Sequence, residues 1–432
     1  MNIAFIIRQL SDYRLMGPVI DRALESRLRV ECWHDYHSWT TGPKKYLFPD
    51  TAASPHFQHG QPDVQSYLGP AELVRRLTRG HVDAIVSIGT IESDTAGAVP
   101  SVRPPWVCLQ SGIDTFWAHT AETLEGCDLL AVHSPWWIDW AAARYGSADR
   151  ISEVPALRAR LHSRSQYVGF PEGEAAGLVD PEEVRARWGI PRTQPVVVFL
   201  PFPQGVGRNT FWPKRVFAEP SRARRLLNVV THRQFQYLRA AWHRANDPDV
   251  ARAVRTFCDR NGAFLLVKSR EKTPIPGYVR AVADKCIYDE IYYPPTLIEA
   301  LSIANLCISY YSLSVLEAAA VGVCNLCIAY DLEDYVGRQG GGSELTDLRS
   351  FFNRTPGGVF EFGSVSKTLE AGEAIAALPR GTLDDFRVAA MDHREYRDKF
   401  LGTDDGLSAA RVVAAVGSLT ASTAVENGPR AR

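Results

Sequence analysis

The chain has 432 residues, 45% hydrophobic and 22% charged, a length that favours two domains over one hydrophobic core and a composition that excludes a disordered or fibrous protein. With 48 basic against 49 acidic side chains the formal charge is −1, so no global field draws the molecule to nucleic acid or lipid. The eight cysteines lie scattered through apolar runs, which suits buried, reduced thiols rather than a disulfide framework.

In chain order, the run Asn2-Ile-Ala-Phe-Ile-Ile7 predicts a first strand over Ile3–Ile7 and lacks the features of a secretory signal. No apolar stretch reaches the roughly 20 residues that span a bilayer. The expectation is a cytoplasmic protein. Further short apolar runs predict strands at Leu28–Trp33, Ala84–Ile88, Trp106–Leu109, Leu129–Val132 and Ser165–Val168. The longer amphipathic stretches between them complete a pattern of parallel strands joined by crossover helices. The charged stretch Pro181–Trp188 predicts a helix opening a second α/β domain. That domain carries predicted strands at Val196–Leu200, Ala263–Val267, Asp289–Tyr292, Leu306–Ser309 and Asn325–Ala329. The resulting layout is an N-terminal Rossmann-like domain over 1–175, a second over 176–385, C-terminal helices over 386–416 and a flexible tail over 417–432.

The richest stretch is Leu306-Cys-Ile-Ser-Tyr-Tyr-Ser-Leu-Ser-Val-Leu-Glu-Ala-Ala-Ala-Val-Gly322, an apolar strand, a hydroxyl-rich turn and an Ala-rich helix. In an open parallel sheet such a turn sits at the carboxyl end of a strand, where phosphate-bearing ligands bind. Ser312 and Ser314 add hydroxyl donors, and Glu317, one turn on, can accept hydrogen bonds from a ribose diol. Ser314 and Glu317 also fit a capping box that touches no ligand. Tyr330-Asp331-Leu-Glu-Asp334-Tyr335 follows the next strand as a polar loop at the same sheet edge.

This order of strand, Ser-rich turn, small helix, Gly, strand and Tyr-Asp-Leu-Glu-Asp-Tyr loop resembles the donor domain of CDP-glycerol glycerophosphotransferases and related GT-B glycosyltransferases of cell-surface polymers. Gln166-Tyr-Val-Gly169-Phe-Pro171 is similar to that group's domain-linking strand end, and Val196–Pro203 to its following strand and loop. Phe264–Lys268 is similar to its strand ending in a phosphate-side lysine, and Asp405-Gly406 through Arg411 to its closing helix start. The resemblance implies an α/β fold of two Rossmann-like domains facing a cleft. It also implies a nucleotide-diphosphate donor and a hydroxyl acceptor, with Lys268, Ser312, Ser314, Glu317 and Asp331 on the donor.

The chain departs from the glycerophosphate branch at two histidines, replaced here by Ser111 and Ser269. Serine lacks the basicity to deprotonate an acceptor near neutral pH, so Asp114 and His119 become the candidate bases. Asp114 could equally cap a helix, and His119 could lie on a helical surface. Arg270 can clamp a diphosphate in the histidine's place, since guanidinium pairs with phosphate oxygens in a planar fork. Ser309 stands seven residues before Glu317, where retaining GT-B enzymes hold a first glutamate, and this favours an inverting displacement. The transferred group is thus read as a sugar, with glycerophosphate transfer and UDP-sugar 2-epimerisation without hydrolysis as alternatives.

Arg208 in Gly205-Val-Gly207-Arg208, and Ser111 with it, are further candidate phosphate contacts. The sequence shows no paired-Asp metal motif, so no obligatory metal or cofactor is expected. Basic and aromatic residues interleave over 214–244, which fits peripheral contact with a membrane or a solvated helical face. Cys324-Asn-Leu-Cys327 has redox-motif spacing but falls at the start of an apolar strand, which favours two buried thiols.

Overall fold

The computed structural model describes residues 1–8, 11–35, 56–79, 81–88, 103–112, 124, 126–145, 154–201, 221–231, 233, 235, 238, 247–270, 275–289, 293–310, 312–329, 356–403 and 405–426. The chain forms two compact units. The first comprises Met1–Leu178, Ile291–Thr296 and Arg397–Arg432, the second Val179–Glu290 and Leu297–Tyr396.

The first unit is built on a seven-stranded, all-parallel sheet in the order β3-β2-β1-β4-β5-β6-β7. Its strands are β1 Asn2–Ile7, β2 Arg29–Asp35, β3 Asp63–Tyr67, β4 Ala84–Ile88, β5 Trp106–Leu109, β6 Leu129–Val132 and β7 Ser165–Tyr167. Ile3, Phe5 and Ile7 turn one face of β1 into a core shared with Met16, Val19 and Ile20 of the helix Ser11–Glu25 and with Val412 and Val416 near the C-terminus.

The second unit repeats the plan with six parallel strands in the order β10-β9-β8-β11-β12-β13. These are β8 Val196–Phe199, β9 Phe264–Arg270, β10 Lys285–Asp289, β11 Leu306–Tyr310, β12 Asn325–Ala329 and β13 Ser366–Glu370. The Val-Val-Val-Phe sequence of β8 shows why these strands are apolar throughout. Alternate side chains enter opposite faces, Val197 and Phe199 joining one core cluster and Val196 and Val198 the other. Each such fully buried side chain contributes on the order of 1.5–3 kcal/mol. The helix Pro181–Trp188 has the predicted bounds because Asp180 caps it, accepting from the amides of Glu182 and Glu183 at 2.9 and 3.4 Å.

The C-terminal stretch differs from expectation. A helix, Ser408–Glu426, runs ten residues into the segment expected to be a flexible tail. Its small residues let it lie close: Ala409, Val412 and Val416 are buried, Leu419 packs partly against the same core, and the Thr420 hydroxyl donates to the Val416 carbonyl at 2.7 Å. The entry to this helix passes the end of β7, where Gly169 has φ +90° and a Cβ would overlap the Ser408 hydroxyl. Asp405 and Arg411, the ends of the Asp-Gly…Arg motif, form an ion pair there. Among the described residues, no helix is long and apolar enough to cross a membrane.

Candidate functional site

In each unit the strand order reverses at one place, between β1 and β4 in the first and between β8 and β11 in the second. Ligands of open parallel sheets bind outside the carboxyl ends of the strands at such a switch point. β11 borders β8 there, pairing Leu306 with Val197 and Ile308 with Phe199, and its carboxyl end leads into Ser312.

The helix that follows starts at Ser314 and ends at Ala320. Leu313 occupies its cap position, so the capping box that the sequence permits does not form. Instead the Ser314 amide donates to the Ser312 hydroxyl at 3.2 Å, and the two serine hydroxyls lie 2.8 Å apart. Glu317 is buried one turn further along. Burial and then the charge of the Glu317 carboxylate raise the Cys307 thiol on β11 well above its usual range. The far end of this helix is pinned as well. His393 Nε2 donates to the Ala319 carbonyl at 2.6 Å, which fixes its tautomer as protonated at that nitrogen.

Ser309, on β11, is fully buried and donates to Asn325 Oδ1 at 2.9 Å. It holds neighbouring strands together and brings no carboxylate. Lys268, on β9, is level with Ser309 across the intervening β8, a separation of about 10 Å. Its side chain is buried, and Nζ lies 3.0 Å from Asp289 Oδ1, 3.2 Å from the Asp289 carbonyl and 2.9 Å from the Ser269 carbonyl. The lysine's charge is therefore balanced within the unit by the last residue of β10. Arg270 ends β9 two residues beyond Lys268, with its Cα paired to that of Asp289.

In the first unit, Ser111 sits buried at the carboxyl end of β5 in a turn fixed by Gln110. The Gln110 side chain donates to the Gly112 carbonyl at 3.1 Å and accepts from the His133 amide at 2.9 Å. Asp114, His119, Arg208 and Asp331 lie outside the described residues, as does most of the basic segment 214–244. Within that segment, the helix Arg222–Thr231 buries Val229.

Asp289 and His393 in the second unit, and His133 in the first, escape sequence reasoning. Asp289 was expected to begin a strand, and its pairing with Lys268 follows from ending one. His393 approaches from a remote segment and no local pattern announces it. His133, at the end of β6, is fully buried beside Phe170 at 5.0 Å between ring centroids, and burial pushes its imidazole down to about 3. Gly402 packs on it, where a Cβ would overlap the His133 carbonyl oxygen. Cys324 and Cys327 are both buried free thiols, and burial pushes Cys324 up to about 12, so that thiol is not activated for redox exchange.

No family model and no curated protein matches the sequence. Solved structures do match it along nearly its whole length. The wall teichoic acid polymerase TagF aligns at a TM-score of 0.55 and 10% identity, over 98% of this chain and 90% of that one. The UDP-GlcNAc 2-epimerase of Methanocaldococcus jannaschii aligns at 0.50 and 11%, over 97% and 100%. The S. aureus MnaA–UDP co-structure aligns at 0.50 and 9%, over 97% and 96%. At these identities the likeness concerns the fold, and it agrees with both strand orders: the chain has a GT-B fold of two parallel-sheet α/β units, the architecture shared by TagF and the UDP-GlcNAc 2-epimerases.

Proposed function

We propose that the chain is a glycosyltransferase that moves a sugar from a nucleotide-diphosphate donor to a hydroxyl acceptor by an inverting displacement, in surface-polymer or glycoconjugate biosynthesis. The observation that carries this reading is the position of Ser312 and Ser314, two neighbouring hydroxyls just past the carboxyl end of the switch-point strand β11. Their mutual hydrogen bond can be exchanged for bonds to phosphate oxygens at little cost, because each hydroxyl can both donate and accept. Glu317 supplies a carboxylate for a ribose diol, and Asp331, two residues after β12 in sequence, is a further donor contact. Arg270 clamps the departing diphosphate, while Lys268, on the same strand β9 and already paired with Asp289, adds its field.

A buried serine at 309, where the first of two glutamates would stand in a retaining enzyme, supports single displacement. The acceptor hydroxyl then loses its proton to a base of the first unit, Asp114 or His119, as it attacks the activated carbon. Ser111 and Arg208 remain candidate phosphate contacts, and segment 214–244 a candidate for peripheral contact with the inner face of a membrane.

Thermal-shift and calorimetric titration of the full chain against UDP, GDP, CDP and dTDP tests the reading. One nucleotide should stabilise it saturably. Stabilisation by CDP alone would move the reading to glycerophosphate transfer, and release of a modified UDP-sugar from donor alone would move it to 2-epimerisation. Stabilisation by none of the four would remove the nucleotide-donor reading altogether.

A further inference from the structure

The first unit contains a second gathering of cations that the donor site does not use. The helix Gly69–Arg79 carries Arg75, Arg76 and Arg79, all within its last two turns. Together with Gln65 on the edge strand β3, Glu72 and His81 they line a cavity of about 290 Å³.

Part of this lining is held rigidly. Arg76 donates from Nη1 to Gln65 Oε1 and from Nη2 to the Ser66 carbonyl, both at 2.7 Å, and its guanidinium lies 5.6 Å from the centre of the Trp33 ring. Its Nη2 also approaches Glu72 Oε1 at 3.4 Å. His81 is anchored by Glu31, 3.3 Å from Nε2, and its ring lies 5.6 Å from that of Trp33. Glu31 is itself fully buried and already accepts from Asn2 Nδ2 at 2.8 Å and Trp33 Nε1 at 2.9 Å. Glu72 is largely occupied with its own helix start, accepting from the Leu68 amide at 2.7 Å.

The rest of the lining is held less firmly, Arg75 acting on Glu72 through its charge alone. Among the described residues, neither Arg75 nor Arg79 makes an ion pair or hydrogen bond with a carboxylate, and both are exposed. Three guanidiniums thus share one recess with the single carboxylate of Glu72. Favourable interaction with the helix dipole explains basic residues in a last turn. It does not explain a recess whose arginine wall is braced by the edge strand and the buried Trp33 ring and whose histidine wall is braced by buried Glu31.

We propose that this recess binds the phosphate group of a small, soluble phosphorylated metabolite. Guanidiniums meet phosphate oxygens through paired N–H bonds and stay charged at every physiological pH. The volume, at the lower end of small-molecule sites, leaves room for a short carbon skeleton beside the phosphate. Gln65 is the middle residue of the edge strand β3, and Arg79 and His81 lie on the approach to β4, so the recess lies along the outer edge of the sheet. The ligand is therefore bound at the sheet's outer edge, two strands from this unit's own switch point between β1 and β4, as an effector or anchoring group.

The test is calorimetric titration of the full chain with inorganic phosphate, against sodium chloride at matched ionic strength. Saturable phosphate binding is expected, weakened about tenfold or more by either R75Q or R79Q and abolished by both. Each variant should keep the wild-type melting temperature in chloride, since both side chains are exposed. The S312A/S314A variant should bind phosphate as the wild type does, which separates this site from the proposed donor site. A phosphate response equal to that of chloride, or one unchanged in R75Q/R79Q, would overturn the proposal. So would binding to phosphatidic acid vesicles that R75Q/R79Q abolishes, without binding of free phosphate, because the ligand would then be a membrane headgroup.

Discussion

The two units share a strand order and spend their charged residues differently. In the second, Lys268, one strand from the switch point, is buried and balanced by Asp289 at 3.0 Å, and the chemistry on offer is the hydroxyl pair of Ser312 and Ser314. In the first, three arginines gather at the sheet's outer edge, while two imidazoles, His34 and His133, are buried in neutral form. The position of a charged residue at a strand end does not by itself say that its charge is available to a ligand. What the neighbouring strand places opposite it decides that.

Acid should break the symmetry between the units most strongly. Burial pushes His34 down to about 4 and His133 to about 3. Both groups therefore take up a proton in the unfolded chain at higher pH than in the folded one. Their contribution to stability is complete above about pH 6.5 and is lost as pH falls toward the folded values, by roughly 3 kcal/mol per pH unit for the two together. The described part of the second unit buries no imidazole fully. Hydrogen exchange resolved by segment, at stepwise lower pH, should then show the amides of β1–β7 opening before those of β8–β13. Equal loss of protection in both sheets would mean that these imidazoles do not govern acid stability.

Next in size is the pair in the second unit. Asp289→Ala leaves the Lys268 ammonium buried without its carboxylate and should cost about 3 kcal/mol in urea unfolding. A loss no larger than that of an ordinary surface substitution would show that the lysine can turn to solvent, and so to a phosphate. Smallest of all should be Arg79→Gln, exposed at a helix end, with an expected stability change within about 0.5 kcal/mol. A larger loss would reveal a structural partner for Arg79 and weaken its assignment to a ligand.

The interior strands were legible because a strand buried on both faces must be apolar throughout. Ala84–Ile88, Trp106–Leu109, Leu129–Val132 and Asn325–Ala329 fall where the apolar runs place them. The failures are at sheet edges. β3, Asp-Val-Gln-Ser-Tyr, and β13, Ser-Lys-Thr-Leu-Glu, carry too many polar residues to register as strands. β10 lies at Lys285–Asp289 rather than 289–292 for the same reason. An edge strand has a neighbour on one side only, so its sequence need not be apolar. The Ser312–Glu317 turn was readable because strand, turn and helix are contiguous in sequence. Asp289 and His393 were not, since their relation to Lys268 and Ala319 exists only once separate strands and helices are packed together.

The central claim is that Ser312 and Ser314 form the phosphate-binding end of a nucleotide-donor site. Calorimetric titration of wild type and S312A/S314A with UDP, GDP, CDP and dTDP tests it most directly. One nucleoside diphosphate should bind the wild type saturably, and the double variant should bind it about tenfold or more weakly, the loss expected for hydrogen bonds to a charged group. Equal binding by the two proteins, or no binding of any of the four, would contradict it.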